Sequence, residues 1–316
     1  MKRIVITGPT GAIGMALIEQ MVSSGVEVLA LVRKESRRSA RIPNHKLVQV
    51  AECSLEEMKN ISVESINPER KKYDVFYHFA WEATIGAGRN DMYAQNRNVT
   101  FALDAVELAE KLGCHTFIGA GSQAEYGRVE GKVSSDSTVN PENGYGIAKF
   151  CAGQMTRILC QSKQIRHIWT RILSIYGPYD GDQTMVCSTI QKLLKGEVPE
   201  FTAGEQQWDY LYSKDAARAL ALLGESGRDG CVYPIGSGQI KTLKEYILKI
   251  RDAVSPSSRL GFGAVPYGEK QVMYLCADIS ELMKDTGFSP AVSFETGIRE
   301  TVEWCRKEYE NGYEED

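Results

Sequence analysis

Tyr145-Gly146-Ile147-Ala148-Lys149 sets a phenol and an ammonium four residues apart. A phenol with its ordinary pKa of ~10 is a poor base at neutral pH, but a neighbouring ammonium favours the phenolate. Such a pair can give a proton to a carbonyl oxygen or take one from an alcohol. Asn143-Gly144 precedes a helical run, so both side chains lie on one helix face near its beginning. Upstream, Gly119-Ala120-Gly121-Ser122-Gln123-Ala124-Glu125-Tyr126-Gly127 ends a strand on a serine, whose hydroxyl can hold the reacting oxygen. Alone, Y-x-x-x-K describes many exposed helix faces; its chemical meaning depends on what lies beside it.

What lies beside it is announced at the N-terminus, in Thr7-Gly8-Pro9-Thr10-Gly11-Ala12-Ile13-Gly14. The run Arg3-Ile4-Val5-Ile6-Thr7 reads as a buried strand that stops at a glycine. From Gly11 the pattern turns helical, with Ile13, Met15, Leu17, Ile18 and Met21 on one apolar face before Ser23-Ser24-Gly25. Strand, glycine turn and helix in this order aim backbone N–H groups and a positive helix end at a pyrophosphate. Gly8 permits the tight turn, Gly11 the close approach of a cofactor, and Gly14 the packing of helix on strand. Thr10, Ala12 and Ile13 fill the same turn. The spacing G-x-x-G-x-x-G is one residue wider than the usual dinucleotide fingerprint. Turn and Tyr/Lys pair together indicate carbonyl/alcohol redox chemistry on a nicotinamide cofactor. Lys149 then has two tasks, lowering the Tyr145 pKa and binding the nicotinamide ribose.

The elements that must position these groups alternate along the chain. Strands are expected at 26–32, 46–50, 73–79, 115–120 and 167–172, with helices between them such as 91–112 and 144–160. Right-handed crossovers predict an α/β fold whose doubly wound parallel sheet runs 3-2-1-4-5-6, with the site at the carboxyl ends of its strands. After residue 175 the character changes. Loops and short elements are expected over 181–208, then a helix at 213–223, a strand at 231–235, and helices near 242–253, 279–286 and 294–309. Residues 1–175 are therefore read as the dinucleotide-binding domain and 176–316 as mainly a smaller α/β cap, with some segments returning to the sheet. The acidic end, 308–316, is read as frayed.

Composition narrows the partners. The 316 residues carry 37 basic and 41 acidic side chains, a balance that makes a nucleic-acid polymer an unexpected partner. No segment is long and apolar enough to span a bilayer, and the apolar run after Met1-Lys2-Arg3 is cut short by Gly8-Pro9. Eight cysteines, at 53, 114, 151, 160, 187, 231, 276 and 305, form no C-x-x-C pair. They read as reduced thiols of a cytoplasmic protein. His45, His78, His115 and His167 are too dispersed to indicate a metal site, and His78 and His115 are expected to pack within strands.

The chain as a whole resembles the extended short-chain dehydrogenase/reductase family, in its nucleotide-sugar epimerase, dehydratase and ketoreductase branch. The resemblance rests on Thr7 to Gly14, His78-Phe79-Ala80-Trp81, Asn98-Val99, Ser122 through Tyr126-Gly127, and Tyr145 to Lys149. It continues through Arg171 with Tyr176-Gly177-Pro178, and Asp209-Tyr210-Leu211-Tyr212 with Asp215. It implies a Rossmann-like fold and a catalytic triad of Ser122, Tyr145 and Lys149. It also implies Ala80 and Asn98 beside the cofactor, a nucleotide sugar between sheet and cap, and Trp81 and Gln123 as substrate contacts. Many relatives form homodimers, and helices 91–112 and 144–160 could make such a seam.

Departures from the family pattern bear on the reaction. Family dehydratases carry an acidic pair after the strand-five hydroxyl; here those positions are Gln123 and Ala124, and Glu125 falls one place late, which disfavours dehydration. Where NAD-using members resemble an Asp at the end of strand two, this chain has Val32 followed by Arg33-Lys34 and then Arg37-Arg38. Cations there suit a 2′-phosphate, so NADP is preferred and NAD possible. That preference favours a 4-ketoreductase, which consumes and releases NADPH. A nucleotide-sugar 4-epimerase is the alternative, and a non-catalytic dinucleotide-sensing regulator the reading from another class. Trp208 stands where many relatives that bind a diphosphate resemble an Arg. Its indole is a candidate substrate contact, and Arg171, Arg259 or Arg299 a candidate replacement for the charge.

Overall fold

A computed structural model describes residues 1–310 of the chain. Its centre is a seven-stranded parallel sheet. In chain order the first six strands are β1 (Arg3–Thr7), β2 (Glu27–Val32), β3 (Val48–Glu52), β4 (Val75–His78), β5 (Thr116–Ser122) and β6 (Arg166–Ile172). They lie in the expected order 3-2-1-4-5-6, and Cys231–Ile235 adds a seventh strand beyond β6, drawn from the second half of the chain. Ile4, Val5, Ile6, Val75, Phe76 and Tyr77 are fully buried, as β-branched and aromatic strands covered on both faces must be.

Two apolar clusters fill the two faces. On one side the helices Ala12–Ser23 and Ser213–Ser226 pack against each other and on β1 and β2, through Met15, Leu17, Ile18, Ala216, Ala217 and Leu220. On the other lies the helix Met92–Lys111, through Phe101, Ala105, Val106, Leu108 and Ala109. The helix Gly144–Ser162 lies alongside Met92–Lys111 and presses Gly153 onto the Trp169 indole, where a Cβ would come within 2.8 Å of the ring. A glycine is needed there because the helix carrying Tyr145 has to approach β6 this closely.

The later elements form small separate sheets. Ser174–Tyr176 pairs with Tyr210–Tyr212, Gln207–Trp208 lies between Lys241–Thr242 and Tyr274–Leu275, and Glu200–Phe201 pairs with Gly261–Phe262. Around them the helices Met185–Leu194, Leu243–Val254 and Phe294–Glu310 enclose a third apolar cluster that includes Tyr176, Tyr212, Tyr246 and Phe294. Asp209 is fully buried and accepts from the backbone N–H groups of Ser237, Gly238 and Ala277, while Asp215 accepts from Ala291 and Val292. Both carboxylates of the Asp209-Tyr210-Leu211-Tyr212 to Asp215 motif thus brace loops.

Four expectations are corrected. The third strand lies two residues later than 46–50. The 181–208 segment contains a ten-residue helix, Met185–Leu194, capped by Thr184, because Val186, Ile190 and Leu193 recur at helical spacing among small polar residues that blur the pattern. His115 precedes β5 with its side chain 64% exposed instead of packing within the strand. Residues 308–310 of the acidic end belong to the helix Phe294–Glu310, and 311–316 lie outside the described residues.

Candidate active site

The carboxyl ends of β1, β4 and β5 bring the glycine turn, the His78-Phe79-Ala80-Trp81 loop and Ser122 to one edge of the sheet. Thr7 ties two of them together. Its hydroxyl lies 2.9 Å from His78 Nδ1 and accepts from the Ala80 N–H at 3.3 Å. Gly8 has φ +66, and a Cβ on it would lie 2.8 Å from the Ala80 nitrogen. Gly14 is packed on the turn itself, its absent Cβ 2.6 Å from the Gly8 carbonyl oxygen, whereas Gly11 faces open space. The helix Ala12–Ser23 begins there with no side-chain cap on its first N–H groups. Such a helix start suits a phosphate group.

A cavity of about 470 Å³ runs from this turn over the end of β2, lined by Gly8, Thr10, Arg33, Arg38, Glu56, Ala80 and Trp81 among others. The glycine cradle, the bare helix start and the cavity between them and the end of β2 together fit a dinucleotide. Asn98 is nearly fully buried and grips the loop beside this cavity, accepting from the Glu82 N–H and donating to the Glu82 carbonyl.

At the other end, Tyr145 sits in the first turn of its helix, which Asn143 caps through the Gly146 N–H. The Ser122 hydroxyl lies close enough to the Tyr145 phenol to favour its ionised form. Burial raises the phenol above its ordinary value, while the Ser122 hydroxyl and the Arg89 charge pull it down and Glu125 pushes it up. Lys149 is buried, and its ammonium donates to the Ala120 carbonyl at 2.6 Å and lies 3.7 Å from the Trp81 ring centroid, with Tyr145 at 5.7 Å. Burial lowers the Lys149 pKa to about 7, against the pull of Glu125. His78 is held neutral, down to about 3, by burial and by the Lys149 charge.

Trp81 donates to Gln95 Oε1 at 2.9 Å and meets Tyr145 edge-on at 6.3 Å. The Gln123 side-chain oxygen is buried beside Ser122 without a partner. Trp208 donates to Ser174 Oγ at 2.7 Å, an indole held by a hydroxyl from the strand that follows β6.

Arg171 departs from its expected place as a substrate contact. It is only 3% exposed, its Nε donates to Glu125 Oε2 at 2.9 Å, and its guanidinium stacks 4.6 Å from the Tyr126 ring centroid. Arg259 and Arg299 are exposed. Glu125, fully buried, accepts from the Ser122 N–H, from Trp169 Nε1 and from Arg171. With Ser122 accepting from Ala124 N–H in return, this carboxylate closes the turn that aims Ser122. The sequence signal for Glu125 is its position three residues after a serine, the capping-box spacing; for Arg89 on Tyr145 no spacing announces the contact. Among the described residues no group of acidic, histidine or cysteine side chains could hold a metal ion, and no helix is long and apolar enough to cross a membrane.

Comparison with known proteins places this architecture. A dTDP-glucose 4,6-dehydratase of an Actinoplanes species is 26% identical over 96% of this chain and 98% of its own length. A UDP-glucose 4-epimerase structure from Thermotoga maritima, solved with UDP-glucose, superposes with a TM-score of 0.84 at 24% identity, covering 97% of this chain and 99% of the other. A UDP-glucuronic acid 4-epimerase from Bacillus cereus, in complex with UDP-glucuronic acid and NAD, gives 0.83 at 19% identity, covering 96% and 99%. The family model for the NAD dependent epimerase/dehydratase family matches residues 4–236, and the chain belongs to that family.

Proposed function

We propose that this enzyme oxidises and re-reduces C4 of a nucleotide-activated sugar, acting as a 4-epimerase. The carrying observation is a single proton-transfer unit, the Tyr145 phenol with the Ser122 hydroxyl and Lys149 near it, while the carboxylate that acts on the phenol, Glu125, is committed to Arg171. Epimerisation asks for nothing more: the proton Tyr145 takes from the C4 hydroxyl is the one it returns. Elimination of water asks for an acid and a base that Gln123 and Ala124 do not supply. The bound NAD(P) supplies hydride acceptance and donation at C4. Ser122 holds the C4 oxygen, Gly8, Thr10, Gly11, Ala12, Ile13 and Gly14 seat the pyrophosphate end, and Lys149 binds the ribose on leaving the Ala120 carbonyl. Trp81, Gln123 and Trp208 line the sugar-nucleotide path between residues 1–175 and the cap of 176–316. Relatives named as 4-epimerases support this reading over net 4-keto reduction.

Reduction stays as a second reading because Arg33 and Arg38 line the adenosine end of the cavity. They support NADP, whereas the NAD held by the Bacillus cereus relative supports NAD. Calorimetric titration of the stripped protein separates them. If the 2′-phosphate is bound, Arg33→Ser weakens NADP about ten- to a hundredfold and leaves NAD unchanged, since hydrogen bonds to charged groups are worth ~1.5–3 kcal/mol. Incubation with UDP- and dTDP-hexoses, followed by NMR of the C4 proton, tests the reaction. A C4 epimer formed without added dinucleotide supports the epimerase; product only from 4-keto sugars with loss of NADPH sinks it.

A homodimer fits the same reading. Met92, Tyr93, Ile147, Met155 and Ile158 are exposed apolar side chains on the paired helices Met92–Lys111 and Gly144–Ser162. Sedimentation should give twice the chain mass, and Met155→Lys with Ile158→Lys should give monomers; a monomeric parent protein would exclude this seam.

A further inference from the structure

The Tyr145 ring carries a second cation that neither the Y-x-x-x-K spacing nor the serine announces. Arg89 lies in the short turn Gly86–Asn90, and its guanidinium carbon is 4.4 Å from the Tyr145 ring centroid, closer than Lys149 Nζ at 5.7 Å. The turn is anchored to the helix that bears Tyr145. Asn90 Oδ1 accepts from the Gly144 N–H at 3.0 Å, and the Arg89 carbonyl oxygen lies 3.0 Å from where a Gly144 Cβ would sit. From the other side, Gln95 Nε2 donates to the Gly88 carbonyl at 3.0 Å and to the Ala83 carbonyl at 2.9 Å. The same Gln95 accepts from Trp81, so the residues that fix Arg89 also fix the ring beside Lys149.

We propose that Arg89 is a positioning residue for proton transfer, its guanidinium laid on the Tyr145 ring so that the phenolate is stabilised and the ring held toward Ser122. A cation over an aromatic face is attracted by the ring's negative quadrupole, and the attraction grows when the ring becomes an anion. Each group facing the phenol has its own sign. From the 86–90 turn Arg89 favours phenolate; from the helix Lys149 stands farther off, its ammonium 5.7 Å from the ring centroid; from the turn after β5 Glu125 opposes it; and His78, neutral, adds no charge. Among the described residues no carboxylate forms a salt bridge with Arg89, so its field on the ring is not cancelled by a bound anion. In the reductive direction Tyr145 gives its O–H proton to the C4 oxygen and is left as phenolate; in the oxidative direction the phenolate takes that proton back. Arg89 therefore acts on the same form in both directions.

This inference rests on Tyr145 as the proton carrier, and its test is readable without a substrate. Protein labelled with carbon-13 at the tyrosine Cζ is titrated by NMR, the Tyr145 signal being assigned by its loss in Tyr145→Phe. In Arg89→Gln the Tyr145 phenol should titrate at higher pH than in the parent protein, and Arg89→Lys should restore much of the difference. Turnover at neutral pH should fall about three- to thirtyfold in Arg89→Gln and recover as pH is raised, consistent with the ~0.5–2 kcal/mol range of such contacts. If Arg89→Gln does not accumulate as folded protein, Arg89→Met keeps the apolar stem and removes the same charge. An unchanged Tyr145 titration in the uncharged variant overturns the proposal. A Tyr145→Phe enzyme with full turnover would instead overturn the role of Tyr145, leaving the titration result standing as a property of the ring.

Discussion

Tyr145→Phe should lower turnover about a hundred- to ten-thousandfold, the range for loss of a positioned general acid or base, while dinucleotide binding is retained. The hydroxyl is the only atom removed. The ring keeps its edge contact with Trp81 and its face contact with Arg89, so the helix Gly144–Ser162 has no reason to move. Its loss leaves the Ser122 hydroxyl in place but with nothing to relay a proton. Steady-state kinetics against calorimetric binding checks both halves, and a variant that lost binding along with turnover would mean that the phenol holds the site together. Ser122→Ala should cost less, because it removes the hydroxyl proposed to hold the reacting oxygen and leaves the proton carrier in place.

Glu125→Ala should be the most damaging substitution for stability. Removing one partner of a buried ion pair leaves the other charge unpaired at a cost of ~3–5 kcal/mol. Here the orphaned groups are Arg171, whose Nη1 is already buried without a partner, the Trp169 indole N–H and the Ser122 N–H. Burial holds the Glu125 pKa above its ordinary value, so the Arg171 guanidinium and the Ser122 and Trp169 donors offset only part of the desolvation. Denaturant unfolding followed by tryptophan emission reads the loss. Glu125→Gln, which keeps an acceptor but not the charge, should fall between Ala and the parent. If the Ala variant unfolds within about 0.5 kcal/mol of the parent protein, the range of an ordinary surface substitution, the network does not carry this load.

Much of the architecture was legible in the residues because it is written locally. The 2-residue and 3.6-residue periodicities of strands and helices show in short windows. The turn at Gly8 is legible because a positive φ admits glycine with little cost. Even there, periodicity failed where polar residues dilute a helix face, as in Met185–Leu194, and its boundaries drifted at β3.

By itself the sequence determined the parallel sheet, the glycine turn after β1 and the placing of Tyr145 and Lys149 one turn apart on a helix, since each lies within one stretch of chain whose residue types leave few conformations. Tertiary structure alone decided the state of the charges around them. It put Arg171 on Glu125, 46 residues away, where burial makes it a brace, and it hung Trp208 on Ser174 across 34 residues. It also laid Arg89 on the Tyr145 ring. An arginine reads alike in the chain whether it grips a phosphate, neutralises a buried carboxylate or lies on an aromatic face. Its role depends on which partner the folded backbone brings within reach and on how much water the packing excludes.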